Sequence, residues 1–378
     1  MTKRTGTAAP AALTTRALNR AFLDRQLLLR RTRMSPADAV EHLVGVHAQV
    51  PKVPYYALHA RLAGFRPEEL SDLLASRRTA RIALHRSTLH LVTARDCLAL
   101  RPLLQELQER RFRGSFRKRA EGVDLVRLAE VSRALVEERP LTFSELGTAL
   151  AEHWPDRDRL TLSMAARALL PLVQVPPRGL WGQGGLARHT TVEQWLGEAS
   201  GAPSAEALEA MLERYLAAFG PASVRDMQIW CGLTRLREVV DRMRPRLRTF
   251  RDDRGGELYD VPDGPLPDPE TPAPVRFLPE FDNLFLSHHD RTRVVADDFR
   301  DRTWKGNQAF PVFLVDGFIR GVWRIEQERA GAVSVLVVEP FVRVSSAEHE
   351  GVEAEGARLL AFAAPGAAHE VRVAGSGR

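Results

Sequence analysis

Lysine is nearly absent from this 378-residue chain. It occurs only at Lys3, Lys52, Lys118 and Lys305, so almost all of the 54 basic residues are arginine. Set against 48 acidic residues they leave a net charge of +6. That excess suits a polyanionic partner, although GC-rich coding, which also replaces lysine by arginine, accounts for the composition equally well. Cysteine is scarce too. Cys97 and Cys231 lie in apolar helical patterns, which excludes a disulfide framework and a thiolate metal cluster. No apolar run reaches about 18 residues, which argues against a transmembrane helix. The polar, Ala/Thr-rich start lacks the long apolar stretch of a signal peptide. A soluble cytoplasmic protein without membrane contact is expected.

Several chemical signatures are missing as well. Gly182-Gln183-Gly184-Gly185 is followed by no Gly-Lys-Ser/Thr and sits in no βαβ unit, so it is not a phosphate loop. Neither a Gly-x-Ser-x-Gly elbow nor a Cys/His dyad is visible. His288-His289-Asp290 clusters potential ligands, but adjacent side chains diverge on regular structure and the spacing supplies no third ligand. Neither a metal nor a cofactor is expected.

What is present is a unit that recurs three times: helices, a turn, another helix, then a short two-stranded ribbon. In the first, Ser35-Pro36-Ala37-Asp38 reads as an N-cap, a proline at the first helical position and a capping acid. Val40, Leu43 and Val44 follow at helical spacing, and the helix should end near Gly45. Pro51 and Pro54 interrupt the chain before a new helix over 55–62. Residues 82–92 read as strand with a bend near Ser87. In the second, Thr142 and Glu145 form a capping box, helices end near 152 and 170, and strands flank a Gly-rich tip near 177–185. The third has helices over 205–219 and 223–231, then one capped by Thr234 and running to Met243. Its ribbon covers 246–252 and 257–261. Residues 262–274 read as a Pro/Asp-rich linker. Beyond it come an Asp316-Gly317 hairpin, a strand over 332–339 and a closing helix over 350–363. The fold class expected is α+β: three tandem winged helix-turn-helix motifs and a C-terminal β-rich module. The boundaries are 1–122, 123–202, 203–265 and 266–378. A generic α+β enzyme with hairpins remains open.

Val46-His47-Ala48-Gln49-Val50-Pro51 is the densest candidate for chemistry. Off a helix end, residues i and i+2 can face one cavity if the backbone is extended. Histidine suits proton transfer near neutral pH, and a carboxamide can orient water or donate to developing charge. In the bland alternative, His47 caps the helix and Gln49 satisfies loop backbone. The basic run 109–119, with Arg111, Arg113 and Lys118 among interleaved phenylalanines, is either a solvated helix end or a phosphate contact. Arg178 near the second tip, and Arg235 and Arg237 on the third recognition-like helix, are similar candidates.

With these residues the chain resembles the AlkZ/YcaQ-type winged-helix DNA glycosylases, bacterial enzymes that excise bulky alkylated bases and unhook interstrand crosslinks. The segments that carry the resemblance are Thr15-Arg16 through Arg30, the His47-Ala48-Gln49 stretch and Arg86-Ser87-Thr88-Leu89-His90-Leu91-Val92. Further on, Leu278-Pro279-Glu280-Phe281-Asp282-Asn283 and Gly321-Val322-Trp323-Arg324 also match. The resemblance implies a C-shaped arrangement of the three motifs and a catalytic Gln-x-Gln or Gln-x-Asp motif. Gln49 takes its second position, and His47 stands where the family usually has its first Gln. It further implies hydrolysis of N7-alkylguanine or N3-alkyladenine nucleotides in duplex DNA, in repair or in self-resistance to a genotoxin. Such a lesion carries positive charge, so the enzyme need only stabilise an oxocarbenium-like sugar and place water. Lys52 is the sole nearby amine, so a monofunctional enzyme is expected, with Lys52 among the DNA contacts. Arg86, Thr88 and His90 would border an open cleft. A monomer associated with the nucleoid is expected. The alternatives are a non-catalytic winged-helix regulator or lesion sensor, and a nuclease, which lacks the acidic metal cluster it would need.

Overall fold

A computed structural model of the chain describes residues 12–375, so the start of the N-terminal segment weighed above as a leader lies outside the described residues. The fold is mixed α and β. Ser35 accepts from the Asp38 amide and caps the helix Pro36–His42. Val44 (φ +51) and Gly45 (φ +93) then turn the chain into the two-residue strand Val46–His47. Helices Val53–Arg61 and Pro67–Ala75 lead to an antiparallel hairpin of Thr79–Ala83 and Leu89–Thr93. The Thr142–Glu145 capping box forms as the sequence predicts, opening Phe143–Ala151 before Arg159–Leu169. Leu172–Gln174 and His189–Thr191 follow as the second antiparallel pair.

These first two ribbons are one sheet. Its order is Val46–His47, Leu89–Thr93, Thr79–Ala83, Leu172–Gln174, His189–Thr191, because Ile82 pairs with Val173 across the expected 122/123 boundary. The helices Ala94–Leu103, Gln105–Phe116 and Leu125–Glu138 connect the two halves. In the third segment, Ala205–Phe219 and Val224–Cys231 fall where the periodicity places them. The next helix differs from expectation: Thr234 does not cap it. The helix is Arg237–Met243, and the Gln228 Oε1 accepts the Leu236 amide at 3.1 Å instead. Its ribbon is Arg248–Asp252 with Glu257–Asp260.

The C-terminal sheet runs Ala368–Val373, Val333–Pro340, Phe318–Glu328, Val312–Val315, Arg276–Leu278. Asp316 (φ +48) and Gly317 (φ +79) form the tight turn that an Asp-Gly pair favours. The helix Ser346–Ala363 is not the closing element, since Ala368–Val373 returns parallel to Val333–Pro340.

One apolar cluster spans the N-terminal, third and C-terminal segments through Phe22, Val92, Phe219, Trp230, Phe285 and Leu314. Buried ion pairs fix the same elements. Arg25 meets Asp260 at 2.6 and 2.9 Å, and Arg61 meets Asp282 at 2.8 Å through both nitrogens. Such pairs add little net stability over apolar packing, but breaking one strands a charge in the interior.

Candidate active site

The stretch 46–49 is held from three sides. Gly45 is required at its start: a Cβ there would meet Val92 Cγ1 at 2.7 Å, and a φ of +93° is strained for any L side chain. Asn283 Nδ2 donates to the Gly45 carbonyl at 2.9 Å. The Ala48 amide donates to the Leu89 carbonyl at 2.8 Å, and the Ala48 carbonyl accepts from Arg81 Nη2 at 2.7 Å. Val46, His47 and Ala48 are all buried, and the chain emerges after the strand ends, so His47 lies beneath the surface and Gln49 is exposed.

His47 is 4% exposed. Its ring lies 4.9 Å from that of Phe281 and 5.7 Å, edge on, from His90, and its Nδ1 is enclosed without a hydrogen-bond partner. Burial, reinforced by the nearby Arg86 charge, lowers its pKa to about 3, so the imidazole is neutral at physiological pH. Behind it, His90 Nδ1 donates to the Thr88 carbonyl at 2.9 Å, which leaves Nε2 to accept from Arg86 Nη2 at 3.3 Å. Arg86 also donates to the Trp230 carbonyl. Arg86 and His90 are thus committed to the interior. Thr88 turns its hydroxyl onto the His85 carbonyl at 3.1 Å.

Gln49 lines a cavity of about 250 Å³ with Arg101, Arg167, Gln174, Arg178 and His189. His47 is not among the residues that line it, so the expectation that both motif side chains face one cavity holds only for Gln49. The guanidiniums here have neutral partners. Arg101 binds Gln105 Oε1 and the Leu170 carbonyl, Arg167 the Ser87 carbonyl, and Arg178 the Gly185 carbonyl. Arg81 binds the Ala48 and Arg178 carbonyls. Among the described residues none of these four arginines has a carboxylate in salt-bridge range, unlike the paired arginines elsewhere, such as Arg188 with Glu145 or Arg214 with Asp96. Burial lowers the Arg101 and Arg81 guanidiniums to about 10, and both stay charged at neutral pH. The surface around Gln49 is therefore positive, with Glu109 and Glu193 acting on Arg101 only from beyond salt-bridge range.

A family model described as DNA glycosylase AlkZ-like matches residues 40–362. The chain belongs to the AlkZ-like DNA glycosylase family. The interstrand DNA cross-link repair glycosylase of Streptomyces sahachiroi is 27% identical to it over 371 residues, covering 89% of this chain and 93% of that protein. The solved structure of Streptomyces sahachiroi DNA glycosylase AlkZ has the same fold, with a TM-score of 0.78 at 23% identity over 96% of this chain and 100% of that one.

The remaining sequence candidates of this AlkZ-like chain scatter. Lys52 is exposed at the N-cap of Val53–Arg61, and Arg111, Arg113 and Lys118 are exposed on and after Gln105–Phe116. Arg113 lies 3.7 Å from Glu109. Arg235 precedes its helix, in a turn at φ +61, rather than standing on it. Arg237 is drawn to Glu257 at 3.5 Å and to the Tyr259 hydroxyl at 2.8 Å. Sequence reading missed Arg101 and Arg167 at the Gln49 cavity, and Arg81 on the Ala48 carbonyl beside it. Their signal was present: each is a basic residue inside an otherwise buried strand or helix face. It also missed what Phe281 and Asn283 touch, although both stand in a segment singled out for its resemblance.

Proposed function

We propose that the chain is a monofunctional glycosylase that hydrolyses the N-glycosidic bond of alkylated purines in duplex DNA. N7-alkylguanine and N3-alkyladenine are the substrates, including bulky adducts and interstrand crosslinks. The observation that carries this reading is the exposed Gln49 carboxamide inside a field of arginines with only neutral partners. Phosphates flanking a lesion supply the missing negative charge and seat the lesioned nucleotide against Gln49.

The base of such a nucleotide is already cationic and leaves without a general acid. The step left to the protein is to steady positive charge developing on the sugar and to place water. Gln49 Oε1 can face that charge while its amide group orients the water. His47 is neutral, so it adds no repulsion, and its ring backs the strand that presents Gln49. Lys52, Arg111, Arg113, Lys118, Arg178 and Arg235 serve as further phosphate contacts. Arg237 adds a weaker one, and Arg86, Thr88 and His90 form the floor of the site. The three helix-plus-ribbon units act as winged helices in a C-shaped arrangement around the duplex, and the chain works as a monomer at the nucleoid in repair or self-resistance.

The test is base release from N7-methylguanine duplexes and from duplexes with larger adducts, read as heat- or alkali-labile abasic sites. Borohydride should trap no protein–DNA adduct, because a monofunctional hydrolysis by water forms no Schiff base. The burial of His47 favours a second reading, lesion binding without catalysis. Retained duplex binding with no base released from any adduct supports that reading.

A further inference from the structure

A second cavity, of about 660 Å³, shares no lining residue with the one at Gln49. Its volume falls in the range of about 300–1,000 Å³ typical of small-molecule sites. One wall is aromatic. The His59 ring lies nearly flat on Phe362 at 4.2 Å (interplanar angle 19°), and Trp181 and Phe65 stand 5.3 and 5.9 Å from the same Phe362 ring. The opposing groups are guanidiniums: Arg31, Arg66, Arg276 and Arg358.

Their charge is underpaid for by carboxylates. Glu355 alone serves three of them, held closely by Arg31 but 3.6 Å from Arg358 and 3.9 Å from Arg276. Glu68 is the one acid among the lining residues. Arg276 is 6% exposed, yet its Nε is enclosed without a hydrogen-bond partner. Burial and the neighbouring Arg31 lower its guanidinium to about 10, so it remains a cation. His59 Nε2 is likewise enclosed and unpartnered. A buried cation with so little compensation is costly by itself, and an anion in the cavity would complete its shell. A planar ring would find Trp181 and Phe362 beside it.

We propose that this cavity binds a nucleotide, its base against the Trp181–Phe362 wall and its phosphate among Arg31, Arg276 and Arg358. The shared chemistry is an aromatic base bearing a phosphate, whether a free mononucleotide or the phosphorylated end of a DNA strand.

Calorimetric titration of the full chain with dGMP, deoxyguanosine, inorganic phosphate and a 5′-phosphorylated oligonucleotide tests this. dGMP should bind about tenfold or more tightly than deoxyguanosine or phosphate, and Arg358→Ala, on the exposed rim, should weaken it by about tenfold. Phe362→Leu should weaken dGMP while leaving phosphate unchanged. Competition between the oligonucleotide and dGMP identifies a strand-end site, and dGMP binding indifferent to the oligonucleotide identifies a free-nucleotide site; both support the proposal. Base release by Arg358→Ala should match wild type, which separates this cavity from the one at Gln49. The proposal is overturned by absence of saturable binding of either nucleotide form. It is overturned equally by phosphate binding as tightly as dGMP, or by unchanged dGMP affinity in both variants.

Discussion

Asp282→Asn should be among the most damaging isosteric changes in this chain. Asp282 meets both terminal nitrogens of Arg61 at 2.8 Å, and the two side chains are 1% and 0% exposed. The other acceptors of Arg61 are neutral: the Ala57 carbonyl at 3.0 Å and Gln26 Oε1 at 3.3 Å. A carboxamide keeps the shape and can still cap Leu284, whose amide now donates to Asp282 Oδ1 at 3.0 Å. It removes the one carboxylate in salt-bridge range of Arg61 among the described residues and turns an amide donor toward a guanidinium. Stranding a buried charge in this way costs about 3–5 kcal/mol, a large share of the roughly 5–15 kcal/mol that holds a typical domain. The effect should reach the site, because Phe281 on one side of Asp282 packs on His47, and Asn283 on the other holds the Gly45 carbonyl. Urea unfolding followed by circular dichroism measures the loss. The apolar double variant Arg61→Met/Asp282→Leu should recover most of it, since no unpaired charge remains. A cost for Asp282→Asn below about 1 kcal/mol would refute the reasoning, because surface-like solvation of Arg61 would then be the only explanation.

Other outcomes follow from the same geometry. Burial lowers His47, His59 and His85 to about 3 and His189 to about 4. Between these values and the unfolded value near 6.5 the unfolded chain binds more protons, so stability is full above that value and falls as pH drops below it. Each histidine contributes about 1.4 kcal/mol per pH unit. The urea midpoint should therefore drop from pH 7.5 to 5.5, and an unchanged midpoint contradicts the buried, neutral assignment. Gly45→Ala should cost about 1–3 kcal/mol and lower base release, because the new methyl meets Val92 Cγ1 at 2.7 Å at a φ of +93°; a fully stable, fully active variant would show that the turn is not needed. Arg178→Ala should weaken duplex binding uniformly across sequences and reduce the salt slope by about 1. An unaltered slope would remove Arg178 from the phosphate contacts.

Much of the local structure was legible in the sequence because local signals decide it. Ser35-Pro36, the Thr142–Glu145 box and Asp316-Gly317 each act within one turn, and the helix Ala205–Phe219 declares itself by its apolar spacing. What stayed hidden depends on distant partners. Ala368–Val373 is a mostly exposed strand whose place is set by its parallel partner Val333–Pro340. The joining of the first two ribbons rests on Arg81 and Ile82 meeting Gln174 and Val173. At the site, the sequence marked 47–49 as the reactive stretch but could not divide its labour. His47 is buried because Phe281 and His90 cover it, and Gln49 faces a cavity because arginines from distant helices surround that spot.

Gln49→Ala decides the central claim most directly. Base release from N7-methylguanine duplexes, measured at saturating enzyme to separate turnover from binding, should fall by about 100-fold or more, as expected when a group that steadies transition-state charge is lost. Duplex affinity, carried by the arginines, should change little. Release by Gln49→Ala at the wild-type rate would contradict the account and return the stretch 46–49 to a purely structural role.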